Sequence, residues 1–213
     1  QAPKIHAMVE DICKKAHLPK PKIYIVPTDN ANAFATGRNP QNAAIAFTEG
    51  ILRLLSEKEL KGVAAHELAH VKNRDTLIST IAATIASVIS YIAFMARFAA
   101  IFGGRDNEGM GNILELLLLA IVAPIAAVII QLAISRSREY LADQSGASYL
   151  KDGSGLASAL EKLHSHKTPM RLGNPSSSHL MIANNFSGRA LLSLFSTHPN
   201  HNDRISKLKS LKF

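Results

Sequence analysis

Residues 66–70 read "HELAH", a histidine pair four positions apart with a glutamate directly after the first. On a helix, i and i+4 differ by about 40° at about 100° per residue, so His66 and His70 point the same way, one turn apart. Two imidazoles so placed can share one tetrahedral Zn²⁺. Glu67 is turned from the centre of the pair but stays beside the metal. There it can take a proton from metal-activated water and pass it to a leaving amine. The chemistry implied is hydrolysis of a peptide or similar bond. The bland alternative is a surface helix with two unrelated histidines; small residues all around and apolar Leu68 between them argue against it.

Two ligands do not make a site. An extended motif with a third histidine six positions after His70 is excluded, because Thr76 stands there and Asn73 replaces the glycine. The third ligand is therefore distant in sequence. "SRSREYLAD" (135–143) offers Glu139 and Asp143, again i and i+4 on one helical face. One can bind the metal while the other orients a histidine through its free ring nitrogen. Spacing alone does not say which, nor does it separate the pair from an ordinary charged surface helix.

The elements that must position these groups are of two kinds. Leu77–Ala96 is twenty residues without a charge, and Leu116–Ile134 is nineteen, broken only by Pro124 and Gln131. Each matches the ~20 residues needed to cross ~30 Å of hydrocarbon as helix. Both are rich in small residues, which favours close helix packing in a membrane. The glycine-rich "GGRDNEGMGN" between them makes the pair a hairpin, and a hairpin brings its ends together. The first span leaves the His66/His70 helix and the second returns into the Glu139 helix. A buried helical pair in a soluble core is the alternative, but two such runs are long for the interior of a 213-residue chain.

Charge agrees. The chain is 47% hydrophobic yet +8 at neutral pH, and the basic residues lie almost wholly outside 76–135, where only Arg97 and Arg105 occur. Lys72 and Arg74 precede the first span; Arg136 and Arg138 follow the second. The positive-inside rule therefore places the histidine module and the chain ends on the cytoplasmic side of a bilayer. Cys13 stands alone, which excludes an internal disulfide and makes a cysteine metal site untenable. With no tryptophan and no aromatics interleaved among its basic residues, the chain has no nucleic-acid face, and Lys207, Lys209 and Lys212 read as a solvated terminal helix.

The remaining pattern gives a helix over 4–17, a short strand at Ile23–Val26, and two strands in "NAFATG" and "AAIAFTEG", the first near a sheet edge. Ser56 with Glu59 forms a capping box that opens the histidine helix. The expected architecture is mainly α with a small β-sheet. Residues 1–75 and 136–213 form the metal-binding domain, and 76–135 a transmembrane hairpin with spans at about 77–96 and 116–134.

"NAFATG" (32–37), "HELAH", the double span, "SRSREYLAD" and "HPNHNDRI" (198–205), in this order over most of the chain, resemble the HtpX family of membrane zinc metallopeptidases, relatives of the CAAX prenyl endopeptidases. Each motif is weak alone; the ordered set is specific. The resemblance implies a zincin-like α+β catalytic domain, one Zn²⁺ per chain, His66, His70 and Glu139 as ligands, Glu67 as general base and acid, and Asp143 beside them in support. It implies that Asn32, Ala33 and Phe34 belong to an edge strand that binds substrate backbone. It also implies His198 as an oxyanion stabiliser and Arg204 as a partner of the acidic groups. "HPNHND" departs from the family form, which makes His201 a competitor of His198. The implied role is quality control of unfolded or misfolded membrane proteins in the bacterial inner membrane. A specific processing protease of the CAAX type and a non-catalytic zinc-stabilised membrane scaffold are the alternatives. Family members usually carry two further N-terminal spans, so truncation is expected. His6, His17, His164, His166 and His179 read as solvated or core-edge residues.

Overall fold

The computed structural model describes residues 3–102, 110–166 and 200–213. The architecture is helical around one small sheet. Helix α1 (Pro3–Ala16) is followed by strands β1 (Lys22–Val26), β2 (Ala33–Gly37) and β3 (Ala43–Thr48), then α2 (Glu49–Leu54), α3 (Glu57–Lys72), α4 (Asp75–Phe102), α5 (Met110–Leu150), α6 (Ser154–Ser165) and α7 (His201–Ser210). The sheet order is β1-β3-β2, with β1 parallel and β2 antiparallel to β3. β3 is central and buried along most of its length, whereas β2 is an edge.

Helix α3 is the axis of the fold. It packs against α1, β2, β3, α5 and α6. The sequence permits this because the helix is lined by small residues, with Ala64, Ala65 and Ala69 fully buried. Gly62 admits α6 still closer: a Cβ there would lie 2.5 Å from the Leu156 backbone nitrogen. Ser56 caps the helix, with the reciprocal Glu59 bond of a capping box. Glu59 also accepts from Ser158 Oγ (2.6 Å) and Lys162 Nζ (2.7 Å), which ties the start of α3 to α6. Val9, Ile12, Ile45, Phe47, Val63, Leu68 and Leu160 complete the core, and Cys13 joins it as a small apolar residue whose thiol burial pushes up to about 11.

Helix α3 stops at Lys72, and the chain turns through Asn73 and Arg74, the latter left-handed at φ 55°. Two residues separate the histidine helix from α4. Helices α4 and α5 run against each other through alanines, with Ala86 and Ala93 facing inward on one and Ala120 and Ala127 on the other. Small side chains seven apart on both partners let the backbones approach, as membrane helices do. Only 17% of the most apolar stretch of each helix is buried. Ile81, Ile85, Ile92, Phe94, Leu119, Val122 and Ile129 face outward instead. Covering each such side chain is worth roughly 1.5–3 kcal/mol, too much to leave in water along two helices. Among the described residues this surface packs against nothing, which favours lipid over a soluble core. Helix α5 has no break at the expected boundary near residue 135. It continues for 41 residues from the apolar segment through Glu139 and Asp143.

Candidate metal centre

Three side chains from two helices converge. His66 Nε2 and His70 Nε2 are 3.0 Å apart, with ring planes at 84°. Glu139 on α5 places its carboxylate oxygens 3.7 Å from His66 Nε2 and 3.6 Å from His70 Nε2. A tetrahedral ion with bonds of about 2.1 Å holds its ligand atoms about 3.4 Å apart, so the three donors stand near the separation a zinc-sized cation needs. Among the described residues this is the one group of histidine and acidic side chains with metal-binding geometry.

Each outward ring nitrogen faces a carboxylate, and both Nε2 atoms point inward. His66 Nδ1 lies 3.0 Å from Asp143 Oδ1. Arg204 on α7, 1% exposed, donates to the same carboxylate from Nε and Nη2, both at 2.7 Å, and its Nη1 lies 2.9 Å from Glu139. Glu139 and Asp143, left undivided by spacing, are thus separated by geometry: one faces both Nε2 atoms, the other a Nδ1. His70 Nδ1 lies 2.6 Å from Asp75 Oδ2. Burial opposes charge on His70, but the Asp75 hydrogen bond and the carboxylates of Glu139 and Glu67 outweigh it and raise it to about 9.

Glu67 is buried beside the group, and its Oε2 accepts from the Ala35 backbone N–H at 3.0 Å. Burial pushes its carboxyl above the usual range; the two histidines pull it back, and Glu139 adds to the rise. The Ala35 bond joins the acid to the edge strand. From that point a shallow open cleft runs between Ala35–Asn39, at the end of β2 and just beyond it, and His70, Val71, Arg74, Thr76 and Leu77.

The expected strand residues sit just before this cleft. Ala33 is in the core, Asn32 is buried with its N–H and C=O both bonded to Thr48, and Phe34 is half-buried. The cleft is lined by the residues that follow them. His198 and His179 lie outside the described residues. His201 opens α7 with its ring 5.1 Å from that of His164, and His6, His17, His164 and His166 are exposed.

Four contributors escape the sequence. Asp75 and Arg138 look like charges flanking a span, and Ala35 contributes only a backbone N–H. Gly146 on α5 reads as a mid-helix weakness. In the fold a Cβ at Gly146 would lie 2.9 Å from the His66 nitrogen, so the missing side chain lets α5 press against the turn that carries the first histidine.

A helix-borne His-Glu…His pair, a glutamate returning on a second helix, and two apolar helices between them define a membrane metalloendopeptidase. The profile described as Peptidase family M48 matches residues 1–212, and the chain belongs to that family. It is 53% identical over 216 residues to the protein named Protease HtpX homolog of Syntrophobacter fumaroxidans, covering 99% of this chain and 77% of that one. Proteins of the same name are 54% identical in Desulforapulum autotrophicum, over 96% of this chain and 68% of that one, and 49% identical in Thermococcus kodakarensis, over 99% and 74%. Among solved structures, Ste24p of S. mikatae shares the fold at a TM-score of 0.64 and 20% identity, over 98% of this chain and half of that chain.

Proposed function

We propose that the chain is a zinc endopeptidase that cleaves unfolded or misfolded membrane proteins at the cytoplasmic face of a bacterial inner membrane. In this reading residues 1–75 and 136–213 form the peptidase domain and 76–135 the membrane hairpin. His66, His70 and Glu139 hold the zinc. A bound zinc supplies Lewis acidity toward the scissile carbonyl and toward water. Glu67 supplies the proton traffic: its carboxylate takes a proton from the attacking water and delivers it to the departing nitrogen. Its burial raises its pKa above the ordinary carboxylate value, which suits a group that both accepts and returns a proton. Asp143 and Asp75 keep the histidine rings turned, and Arg204 neutralises the acidic groups that crowd them. Substrate backbone lies in the cleft along β2, and His198 stabilises the oxyanion.

The observation that carries this reading is the placement of Glu67 and the three donors directly beyond the bases of two lipid-facing helices. The second residue of α4 after Asp75 is already Leu77, which lines the cleft. A segment drawn from the membrane therefore meets the centre first. The test is to purify the chain in detergent, quantify bound metal, and follow cleavage of casein and of an unfolded membrane-anchored segment by the parent and by Glu67→Gln. Equal zinc in both, with cleavage by the parent alone, supports the reading. Zinc without turnover in either supports the scaffold alternative.

A further inference from the structure

Each histidine of the pair has its own carboxylate and arginine. His66 is held by Asp143, which is held by Arg204. His70 is held by Asp75, which is held by Arg138. The first chain of contacts belongs to the globular part. The second joins the two ends of the membrane hairpin, since Asp75 is the first residue of α4 and Arg138 lies on the returning helix, directly before Glu139.

We propose that Asp75 is a positioning residue of the metal centre, and that its pairing with Arg138 makes metal affinity depend on closure of the hairpin. This rests on His66, His70 and Glu139 being the ligands. Asp75 is 6% exposed, with one oxygen on His70 Nδ1 and the other on Arg138. It reaches back to His70 because the chain reverses through left-handed Arg74. Arg138 fixes that reversal twice, because its Nη2 also donates to the Asn73 carbonyl at 2.9 Å. Adjacent positions on α5 thus deliver a ligand and the clamp for the opposite ligand. When the ends of the hairpin part, Glu139 leaves and His70 loses the group that fixes its tautomer and ring plane.

A purely structural ion pair would lower stability and leave metal binding alone, so the test reads the metal. Zn²⁺ affinity is measured on the full chain in detergent by competition with a chromophoric chelator, and Co²⁺ is bound for its visible spectrum. The variants are Asp75→Ala, Asp75→Asn and Arg138→Gln, with helicity and thermal unfolding of each metal-free form recorded alongside. Asp75→Ala should bind 10–100-fold more weakly with a changed Co²⁺ spectrum. Asp75→Asn keeps an acceptor for the ring N–H and should recover part of the loss, and Arg138→Gln should fall between it and the parent. If Asp75→Ala does not fold, the other two decide. Binding by the variants within twofold of the parent, with unchanged spectra, overturns the proposal while leaving the metallopeptidase reading intact. A parent that binds no metal overturns both.

Discussion

Arg204 and Asp143, 61 positions apart, meet through two hydrogen bonds of 2.7 Å where solvent does not reach. The same guanidinium lies 2.9 Å from Glu139. One cation from the last helix therefore balances two carboxylates from α5 and keeps them poised over the histidine helix. Removing it leaves Asp143 buried without its cation, which costs about 3–5 kcal/mol. Arg204→Ala should lower the thermal midpoint severely. Arg204→Lys, which keeps the charge but not the two-pronged geometry, should recover only part. A drop in Arg204→Ala no larger than that of an exposed surface substitution would contradict the pairing.

Gly146 permits the contact between α5 and α3. Because its added Cβ would meet backbone, not a flexible side chain, Gly146→Ala must push the helices apart by a few tenths of an ångström. Overpacking of this kind costs about 1–3 kcal/mol. Glu139 and Asp143 ride on the same helix, so zinc stoichiometry in detergent should fall together with the unfolding midpoint. The neighbouring Ser145→Ala is the control and should change neither.

Acid should expose the Glu59 tie between α3 and α6. Burial opposes its ionisation, yet Lys162, Ser158 and Ser56 outweigh that and hold it at about 2, against an ordinary 4.5. A carboxyl depressed in the folded state stabilises fully above its unfolded pKa and loses that contribution as pH falls from 4.5 through 2. Lys162 is half-exposed, which screens the pair and leaves about 1–2 kcal/mol. Glu59→Gln should therefore be less stable than the parent at pH 6, and the difference should shrink steadily as the unfolding midpoint is followed below pH 4.5.

Metal removal should silence the protein without unravelling it. Each histidine ring faces a carboxylate that is itself paired with an arginine, whether or not a cation is present. Chelation should abolish cleavage, leave helical content by circular dichroism unchanged, and lower the thermal midpoint by the lost ligand linkage. Added zinc should restore both activity and midpoint. Loss of helicity on chelation would mean that the cation, not these pairs, holds the centre together.

Much of this was readable from residue order. The spacing of His66 and His70, the Ser56–Glu59 cap and the uncharged runs at 77–96 and 116–134 are local patterns, and local geometry decides them. The edge position of β2 followed from its short, small-residue strand. Asp75, Arg138 and Gly146 were opaque because each acts across the hairpin, and its register depends on how α4 and α5 pack. Helix α5 runs unbroken past 135, because a change in composition does not end a helix and Ser135 to Asp143 are all compatible with continuing it. The lining of the cleft starts at Ala35, and Thr48 holds the Asn32 backbone, a contact 16 positions away that residue order does not show.

The unbroken course of α5 also acts as a ruler. Glu139 stands five positions past Ile134, about 7–8 Å of helical rise, with no hinge between. If the apolar part of the helix lies in lipid, as proposed, that rise sets the height above the bilayer at which the metal-binding group is held.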